Sequence, residues 1–379
     1  MNTADTCVDL DDADGLREAD RDGLLRASAM AGAQVRATAA AVAEGALASV
    51  AGGQRPRTVV WLAGRGPAEA AGAMLIAALG GIAAEPLVAA AEAPPWIGPL
   101  DVLIVAGDDP ADRTLVSAAH TAVRRGARLV VTAPNLGPLR DATAGRCAVL
   151  EPRLPVPEEF GLCRYLAAGL AVLAAVDPAL VPAGSSGATR GLIGDLGALA
   201  DELDAEALRN SAGREMVTNP AKALAGRMAG RQVLLAGDRP VTRALARHAA
   251  AVLLRVGGQP VAAAELADAV VALRSTGPAR GMTAGFADPA DALFHDEQID
   301  GPLPDRPRVV ALALAEEHAL LTARLAGIDG VDLVGVDDMG EAEPVAGSAW
   351  PADARPEQQL ATLAVRLEMA AVYLRLAGG

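Results

Sequence analysis

The chain has 379 residues, of which 52% are hydrophobic, 21% are charged and only 2% are aromatic, and its formal net charge at pH 7 is −14. This length and apolar content are enough for two domains of ordinary size. So acidic a composition argues against a nucleic-acid partner, because a phosphate backbone requires a basic protein face.

Cysteine content and hydropathy argue against a disulfide-rich, zinc-binding, secreted or membrane protein. Cys7, Cys147 and Cys163 are odd in number and lack a Cys-x-x-Cys spacing, so they predict neither a disulfide framework nor a zinc site. The acidic N-terminus lacks the apolar core of a signal peptide, and no uninterrupted apolar run reaches the roughly 18 residues that span a bilayer. We therefore expect a cytoplasmic protein with no metal, no cofactor and no membrane partner.

Strand and helix patterns alternate along the first half of the chain. A helical pattern covers residues 22–50, and four apolar runs then predict strands separated by turn and helix signals. These predicted strands are residues 57–63, 101–106, 128–133 and 148–151. Apolar strands that alternate with helices indicate a parallel sheet covered on both faces.

The alternating pattern restarts in the second half. Residues 152–215 are predicted to be mostly helical, apart from a Gly/Ser-rich loop at 182–191. Residues 274–305 have few periodic apolar positions and predict a long loop. Strands are predicted at 231–236, 308–314 and 331–336, and a final helix at 356–376.

These patterns predict an α/β fold with two doubly wound domains, whose parallel sheets are covered by helices, plus N- and C-terminal helices. The predicted boundaries are an N-terminal helical segment at 1–55, a first sheet domain at 56–152, a helical connection at 153–215, a second sheet domain at 216–350 and a C-terminal helix at 351–379.

Four segments along the chain carry a family resemblance. They are GLCRYLAAG at 161–169, NPAKALA at 219–225, FHDEQIDG at 294–301 and LATLAVRLEMAAVYLRLA at 360–377. In this order they resemble the bifunctional phosphoglucose/phosphomannose isomerase family, which has two sugar isomerase (SIS) domains, and within it a divergent actinobacterial group labelled TobH. The resemblance implies SIS-type sheets, a homodimer and aldose–ketose isomerisation of hexose 6-phosphates.

Gly64, Arg65 and Gly66 form the first candidate binding element. They follow a predicted strand and open a helix, where free helix N–H groups can bind an anion. Arg65 adds a cation that could grip a phosphate. The alternative is a tight turn with a solvent-facing arginine.

The second candidate element departs from the family. Where the resemblance implies a serine- and threonine-rich phosphate loop, this chain has Gly107, Asp108 and Asp109. Two carboxylates there would repel a phosphate dianion. Either aspartate could instead cap the following helix, or the pair could face a metal or a hydroxyl-rich ligand.

The resemblance also implies catalytic groups. Arg164 and His295 fall on the family's active-site arginine and histidine, and imidazole suits proton transfer near neutral pH. The positions of the family's catalytic glutamate and lysine are Arg255 and Glu357. The only lysine, Lys222, is expected to support its helix rather than to act chemically.

Loss of a general base typically slows a reaction by a factor on the order of 10² to 10⁴, unless Glu265, Glu297 or a partner subunit substitutes for it. We therefore expect a sugar-phosphate-binding protein with weakened or lost catalysis. One alternative is an active isomerase that uses His295 and Arg164. Another is a non-catalytic regulatory or assembly protein, with the C-terminal helix packed across a dimer interface.

Overall fold

A computed structural model describes residues 8–177, 195–275, 307–336 and 355–378. His295, Glu297 and the Gly/Ser-rich stretch at 182–191 lie outside the described residues, as does nearly all of the predicted loop at 274–305.

The first sheet has five parallel strands in the order β2-β1-β3-β4-β5. Its central strands are runs of Val, Leu and Ile buried on both faces, which is typical of a sheet covered by helices on both sides. The strands are β1 (Thr58–Ala63), β2 (Leu87–Ala90), β3 (Asp101–Ala106), β4 (Arg128–Thr132) and β5 (Ala148–Val149).

The second sheet has four parallel strands in the order β7-β6-β8-β9. Its strands are β6 (Val233–Gly237), β7 (Ala262–Glu265), β8 (Arg308–Leu312) and β9 (Val331–Val334). In both sheets the second strand along the chain pairs with the first, and the chain then crosses to the other side. The predicted fold class, two doubly wound α/β units, is therefore confirmed.

Two edge strands, β2 and β7, are absent from the sequence prediction. Both are four residues long, rich in alanine and partly exposed, so neither forms the apolar run that marks a buried strand. The seven predicted strands are all present, with ends that differ by up to two residues.

The helical pattern at 22–50 is divided into two helices followed by turns. The described helices are α1 (Ala13–Ala19), α2 (Leu24–Ser28), α3 (Ala31–Ala43), α4 (Gly66–Leu79), α5 (Arg113–Arg125), α6 (Gly137–Thr143), α7 (Leu162–Val176), α8 (Leu196–Arg209), α9 (Pro220–Met228), α10 (Pro240–Arg255), α11 (Leu266–Ser275), α12 (Ala315–Leu325) and α13 (Pro356–Gly378). None of these helices is long and apolar enough to cross a membrane.

One hydrophobic core joins the two halves. Helices α4, α7, α10 and α13 lie between the sheets and share this core with the inner faces of both. Helices α5 and α6 cover the outer face of the first sheet, and α11 and α12 cover that of the second.

The C-terminal helix α13 is buried along almost its whole length, and it packs on α8, α9 and α10 of its own chain. Near its end, Tyr373 Oη donates a hydrogen bond to the carbonyl of Asn210 at 2.5 Å. A helix enclosed in this way has no free face for a second copy. The expectation that it packs across a dimer interface is therefore wrong.

Lys222 has a structural position. Its ammonium group donates to the carbonyls of Ala212 at 2.8 Å and Arg214 at 2.7 Å, and Asn219 caps the start of α9 through the Lys222 backbone N–H. The lysine therefore ties α9 to the segment that precedes it.

A buried ion pair links α13 to α8. Arg366 is 1% exposed and its Nε lies 2.7 Å from Glu206 Oε1, and its other N–H groups donate to the carbonyls of Gly335 and Val336. Burial opposes the ionisation of Glu206, but the guanidinium groups of Arg366 and Arg209 together outweigh that effect and hold the pKa of Glu206 below its ordinary value. The opposite charges of Arg366 and Glu206 therefore stabilise each other inside the core.

Replacing Glu206 by Gln should lower the free energy of unfolding at pH 7 by about 3–5 kcal/mol, because Arg366 would remain buried without its counter-charge. Urea unfolding followed by circular dichroism measures this loss. The matched control is Asp201→Asn, which removes an exposed pair with Arg36 and should cost no more than about 1 kcal/mol. Equal losses of unfolding free energy in the two variants would contradict the conclusion that Glu206 neutralises a buried Arg366.

The difference between wild type and Glu206→Gln should depend on pH. Because the folded-state pKa of Glu206 lies below its ordinary value of 4.5, its contribution is present above that pH. The contribution is lost as the pH falls through the folded-state pKa, so the two proteins should converge in stability in acid.

Candidate functional site

The first sheet has a crevice where β1 and β3 end. Ala63 and Ala106 are paired at the carboxyl ends of these strands. After β1 the chain enters α4 on the inner face, and after β3 it enters α5 on the outer face. Open α/β sheets bind ligands at such a switch point, because the two connections diverge and leave a gap.

Two glycines shape the turn after β1. Gly66 has a φ of +64°, in the left-handed region that side chains rarely adopt. A Cβ on Gly64 would lie 2.7 Å from Asp112 Oδ2. Arg65 stands between them in extended conformation at the N-terminus of α4, and its side chain is exposed.

Arg65 is the unpaired cation of this turn, since it forms no ion pair with any residue that the structure describes. It stands beside the first N–H groups of a 14-residue helix, which favour a negative charge. The turn after β1 therefore has the chemistry of an anion site.

The loop after β3 brings Asp108 and Asp109 to the opposite side of the crevice. Asp109 is exposed, and its Oδ1 accepts a hydrogen bond from the Ala111 N–H at 2.8 Å. The cap of α5 is Asp112, which accepts from the Thr114 N–H at 2.8 Å. The expectation that Asp108 or Asp109 caps this helix is wrong, because the helix begins only at Arg113.

Asp108 is paired with Arg164. Arg164 Nη2 lies 2.9 Å from Asp108 Oδ1, and Nη1 donates to the Thr132 carbonyl at 3.0 Å. The guanidinium is 3.9 Å from the centre of the Tyr165 ring, and Arg164 as a whole is only 6% exposed. Arg164 is therefore a buried residue that reaches the crevice through Asp108, rather than a surface charge.

Burial raises the pKa of Asp108, and the Arg164 guanidinium opposes that effect without cancelling it. The negative charge of Glu158 adds a smaller increase. Asp108 therefore holds its proton to higher pH than an ordinary aspartate does.

Arg255, at the end of α10, closes the crevice from the second half of the chain. It forms ion pairs with Glu158 and with Glu159, the latter at 2.8 Å. At the position where the family resemblance implies a catalytic glutamate, this chain thus has a cation already engaged by two carboxylates. Glu265, the possible substitute base, is itself paired with Arg243.

Six residues predicted to bind the ligand border one narrow cleft of about 20 Å³. Arg164 does not line the cleft, but it is hydrogen-bonded to Asp108, which does. Glu357 is buried in the first turn of α13 and does not line it. The six are Gly64, Arg65, Gly66, Gly107, Asp108 and Asp109.

The cleft also contains residues that the sequence analysis did not assign to it. Glu158 lines the cleft, and Glu159 lines the cavity beside it. Only Phe160 separates this acidic pair from the GLCRY segment, so the pair was the available signal. The approach of Arg255 to Glu158 joins positions 97 residues apart and has no local signature.

Negative charge exceeds positive charge around the cleft. Two guanidinium groups, of Arg65 and Arg255, line it, together with four carboxylates. Within the described part of the chain, no group of three acidic, histidine or cysteine side chains is arranged to hold a metal ion. The carboxylates are Asp108, Asp109, Asp112 and Glu158.

No family model and no curated protein sequence matches the chain. Its structure is similar to solved structures across nearly the whole length. The tagatose-6-phosphate ketose/aldose isomerase of Escherichia coli is 14% identical with a TM-score of 0.59, over 99% of this chain and 96% of that one. The chain has the SIS fold of phosphosugar isomerases.

Two further structures have the same fold. A candidate phosphosugar isomerase from Clostridium difficile 630 is 12% identical with a TM-score of 0.56, over 94% of this chain and 93% of that one. The C-terminal domain of glucosamine-fructose-6-phosphate aminotransferase from Francisella tularensis is 10% identical with a TM-score of 0.54, over 95% and 98% of the two chains.

Replacing Arg164 by Gln should raise the pKa of Asp108 further, because Arg164 is the cation that opposes the effect of burial. Titration of ¹³C-labelled aspartate carboxyl groups by NMR measures this pKa. A folded-state pKa above the ordinary value makes the folded state lose stability as the pH rises between the two values. That loss should be larger in Arg164→Gln.

The matched control is Arg153→Gln, which removes an exposed ion pair with Glu44. It should leave the Asp108 titration unchanged. An Asp108 pKa that is the same in Arg164→Gln as in wild type would show that the two side chains are not paired in solution.

Proposed function

We propose that the chain is a divergent phosphosugar-binding protein related to the bifunctional phosphoglucose/phosphomannose isomerases, in which aldose–ketose isomerisation is weakened or lost. The observation that carries the proposal is the pairing of Arg164 with Asp108 and of Arg255 with Glu158 and Glu159. Two cations near the crevice are thus neutralised by the protein's own carboxylates.

The turn after β1 is the proposed phosphate site. Arg65 is an exposed guanidinium without an ion pair among the described residues, and it stands at the N-terminus of α4 at a sheet switch point. A phosphate bound there would contact the helix N–H groups and the fork of Arg65. The SIS fold and the family resemblance support a sugar phosphate as the source of that anion.

The carboxylates opposite should weaken this binding. Asp108 and Asp109 border the same cleft, and like charges repel a phosphate dianion. Protonation of Asp108, whose pKa is raised, removes one of these charges. Phosphosugar affinity should therefore rise as the pH falls toward the Asp108 pKa.

The proposed loss of catalysis rests on the two positions where a general base is expected, Arg255 and Glu265. Arg255 cannot accept a proton, and Glu265 is engaged by Arg243. A missing general base typically costs a factor on the order of 10² to 10⁴ in rate. The cysteine pattern further supports a reducing cytoplasm, and the family resemblance supports a homodimer.

Fructose 6-phosphate should raise the melting temperature of the protein and bind in isothermal titration calorimetry, whereas fructose should do neither. A coupled assay with fructose 6-phosphate and mannose 6-phosphate should detect no isomerisation above background. Turnover that His295→Ala abolishes would overturn the proposed loss of catalysis. An absence of binding by any hexose 6-phosphate would overturn the ligand class.

Replacing Asp108 by Ser should tighten fructose 6-phosphate binding by about tenfold, because it removes a repelling charge and frees Arg164 for the ligand. Calorimetric dissociation constants measure the change. Asp109→Ser is the matched control, since it removes the same charge from an exposed side chain that pairs with no cation in the described part of the chain. Equal effects of the two substitutions would show that Arg164 does not take part.

A further inference from the structure

A second cavity adjoins the cleft, between α4 and α10. Its volume is about 300 Å³, and it shares Gly66, Pro67 and Arg255 with the cleft. This volume lies at the lower end of the roughly 300–1,000 Å³ of small-molecule sites. The cleft itself, at about 20 Å³, is too small for a whole sugar phosphate. A ligand whose phosphate lies at Arg65 must therefore extend past Gly66.

His248 of α10 forms part of the cavity wall. Its side chain is 2% exposed, and its Nε2 lies 2.9 Å from Oε1 of Glu368, which is equally buried in α13. A carboxylate bound to one ring nitrogen fixes the orientation of an imidazole and selects its tautomer. His248 is thus held rigidly at the edge of the cavity by a residue of the core.

The other ring nitrogen of His248 remains available. Nδ1 forms no hydrogen bond with any described residue. It is also not fully enclosed by protein atoms. When Nε2 carries the proton shared with Glu368, Nδ1 presents a lone pair. A buried imidazole at a cavity wall, with one nitrogen anchored and the other without a partner among the described residues, can form a hydrogen bond with a ligand hydroxyl.

The rest of the cavity wall combines small apolar side chains with four charged ones, of which Glu159 and Arg255 are paired with each other. Glu69 on α4 and Arg247 on α10 are exposed, and neither forms an ion pair with a described residue. Convergent polar groups on a largely apolar wall are typical of a site that orients a small hydroxylated molecule. The apolar part of the wall is Pro67, Ala70, Ala73, Ala244, Ala251 and Val252.

We propose that this cavity binds the hydroxylated carbon chain of the sugar phosphate, with a ligand hydroxyl donating to His248 and with Glu368 acting as a positioning residue for His248. The inference rests on the proposed function for its ligand class. It adds a binding subsite and a residue that distinguishes a sugar phosphate from a free phosphate ion.

A purely structural role for the pair makes a different prediction. If the His248–Glu368 hydrogen bond only joins α10 to α13, its loss changes stability and leaves the affinity of the folded protein for every ligand unchanged. Comparing two ligands that share the phosphate but differ in the carbon chain therefore separates the two roles.

The experiment measures dissociation constants for fructose 6-phosphate and for inorganic phosphate by isothermal titration calorimetry, in wild type and in His248→Gln. We expect about tenfold weaker binding of fructose 6-phosphate, which is the effect of losing one hydrogen bond of about 1.4 kcal/mol, and unchanged binding of inorganic phosphate. The matched control is His120→Gln on the exposed face of α5, which should change neither constant.

Each outcome has one meaning. If wild type binds both ligands and His248→Gln binds them equally well, the subsite is overturned while the proposed function stands. If wild type binds neither ligand, the proposed function is overturned and the subsite with it. If His248→Gln weakens both ligands to the same degree, the effect is structural and the subsite is overturned.

A second measurement needs no folded His248 variant. The chain has four histidines, so their ring ¹⁵N signals can be assigned by substituting the other three in turn. Fructose 6-phosphate should shift the Nδ1 signal of His248 in the wild-type protein, whereas inorganic phosphate should not. A His248 signal that is unmoved by saturating fructose 6-phosphate would overturn the subsite.

Discussion

Burial of α13 between the two sheets constrains the rest of the molecule, because a helix enclosed in the core must satisfy its polar groups from within. Arg366 is paired with Glu206 of α8, and Glu368 with His248 of α10. These two contacts fix α8 and α10 against the same helix. The wall of the cavity between α4 and α10 is consequently positioned by core packing rather than by a surface loop.

The same rule, that a buried charge needs a partner, explains the charge pattern of the cleft. Arg164 is too enclosed to remain unpaired, and the residue that pairs with it is Asp108 at the end of β3. In a loop of serines and threonines a guanidinium in this place would be left for a ligand anion. Here the Asp108 carboxylate pairs with Arg164 in place of a ligand anion. Glu158 likewise pairs with Arg255. Arg65 meets no carboxylate among the described residues, and its guanidinium is therefore the one proposed to bind an anion.

The fold was largely predictable from the sequence, because buried parallel strands such as Asp101–Ala106 carry long apolar runs that need no tertiary context. The edge strand Leu87–Ala90 lacked that signal, since half-exposed alanines fit a helix or a turn as well. The turn at Arg65 was predictable from local sequence as well, because its glycines follow an apolar strand and open a helix. The pairing of Arg255 with Glu158 was not, because it depends on how α10 packs beside α4. His248 appeared as one histidine in helical sequence until α13 brought Glu368 to it.

The repeated topology places a second crevice where β6 and β8 end, in the same strand order as β1 and β3. There, however, Asp238 is paired with Arg324 at 2.9 Å, and Arg239 with Glu316. Arg324 and Arg239 are thus each joined to a carboxylate of the protein. Two sheets of one topology therefore have different chemistry, because within the described residues only the first retains an unpaired guanidinium at its switch point. The asymmetry explains why the proposed phosphate site is placed in the first sheet alone, on the side where the cavity with His248 adjoins it.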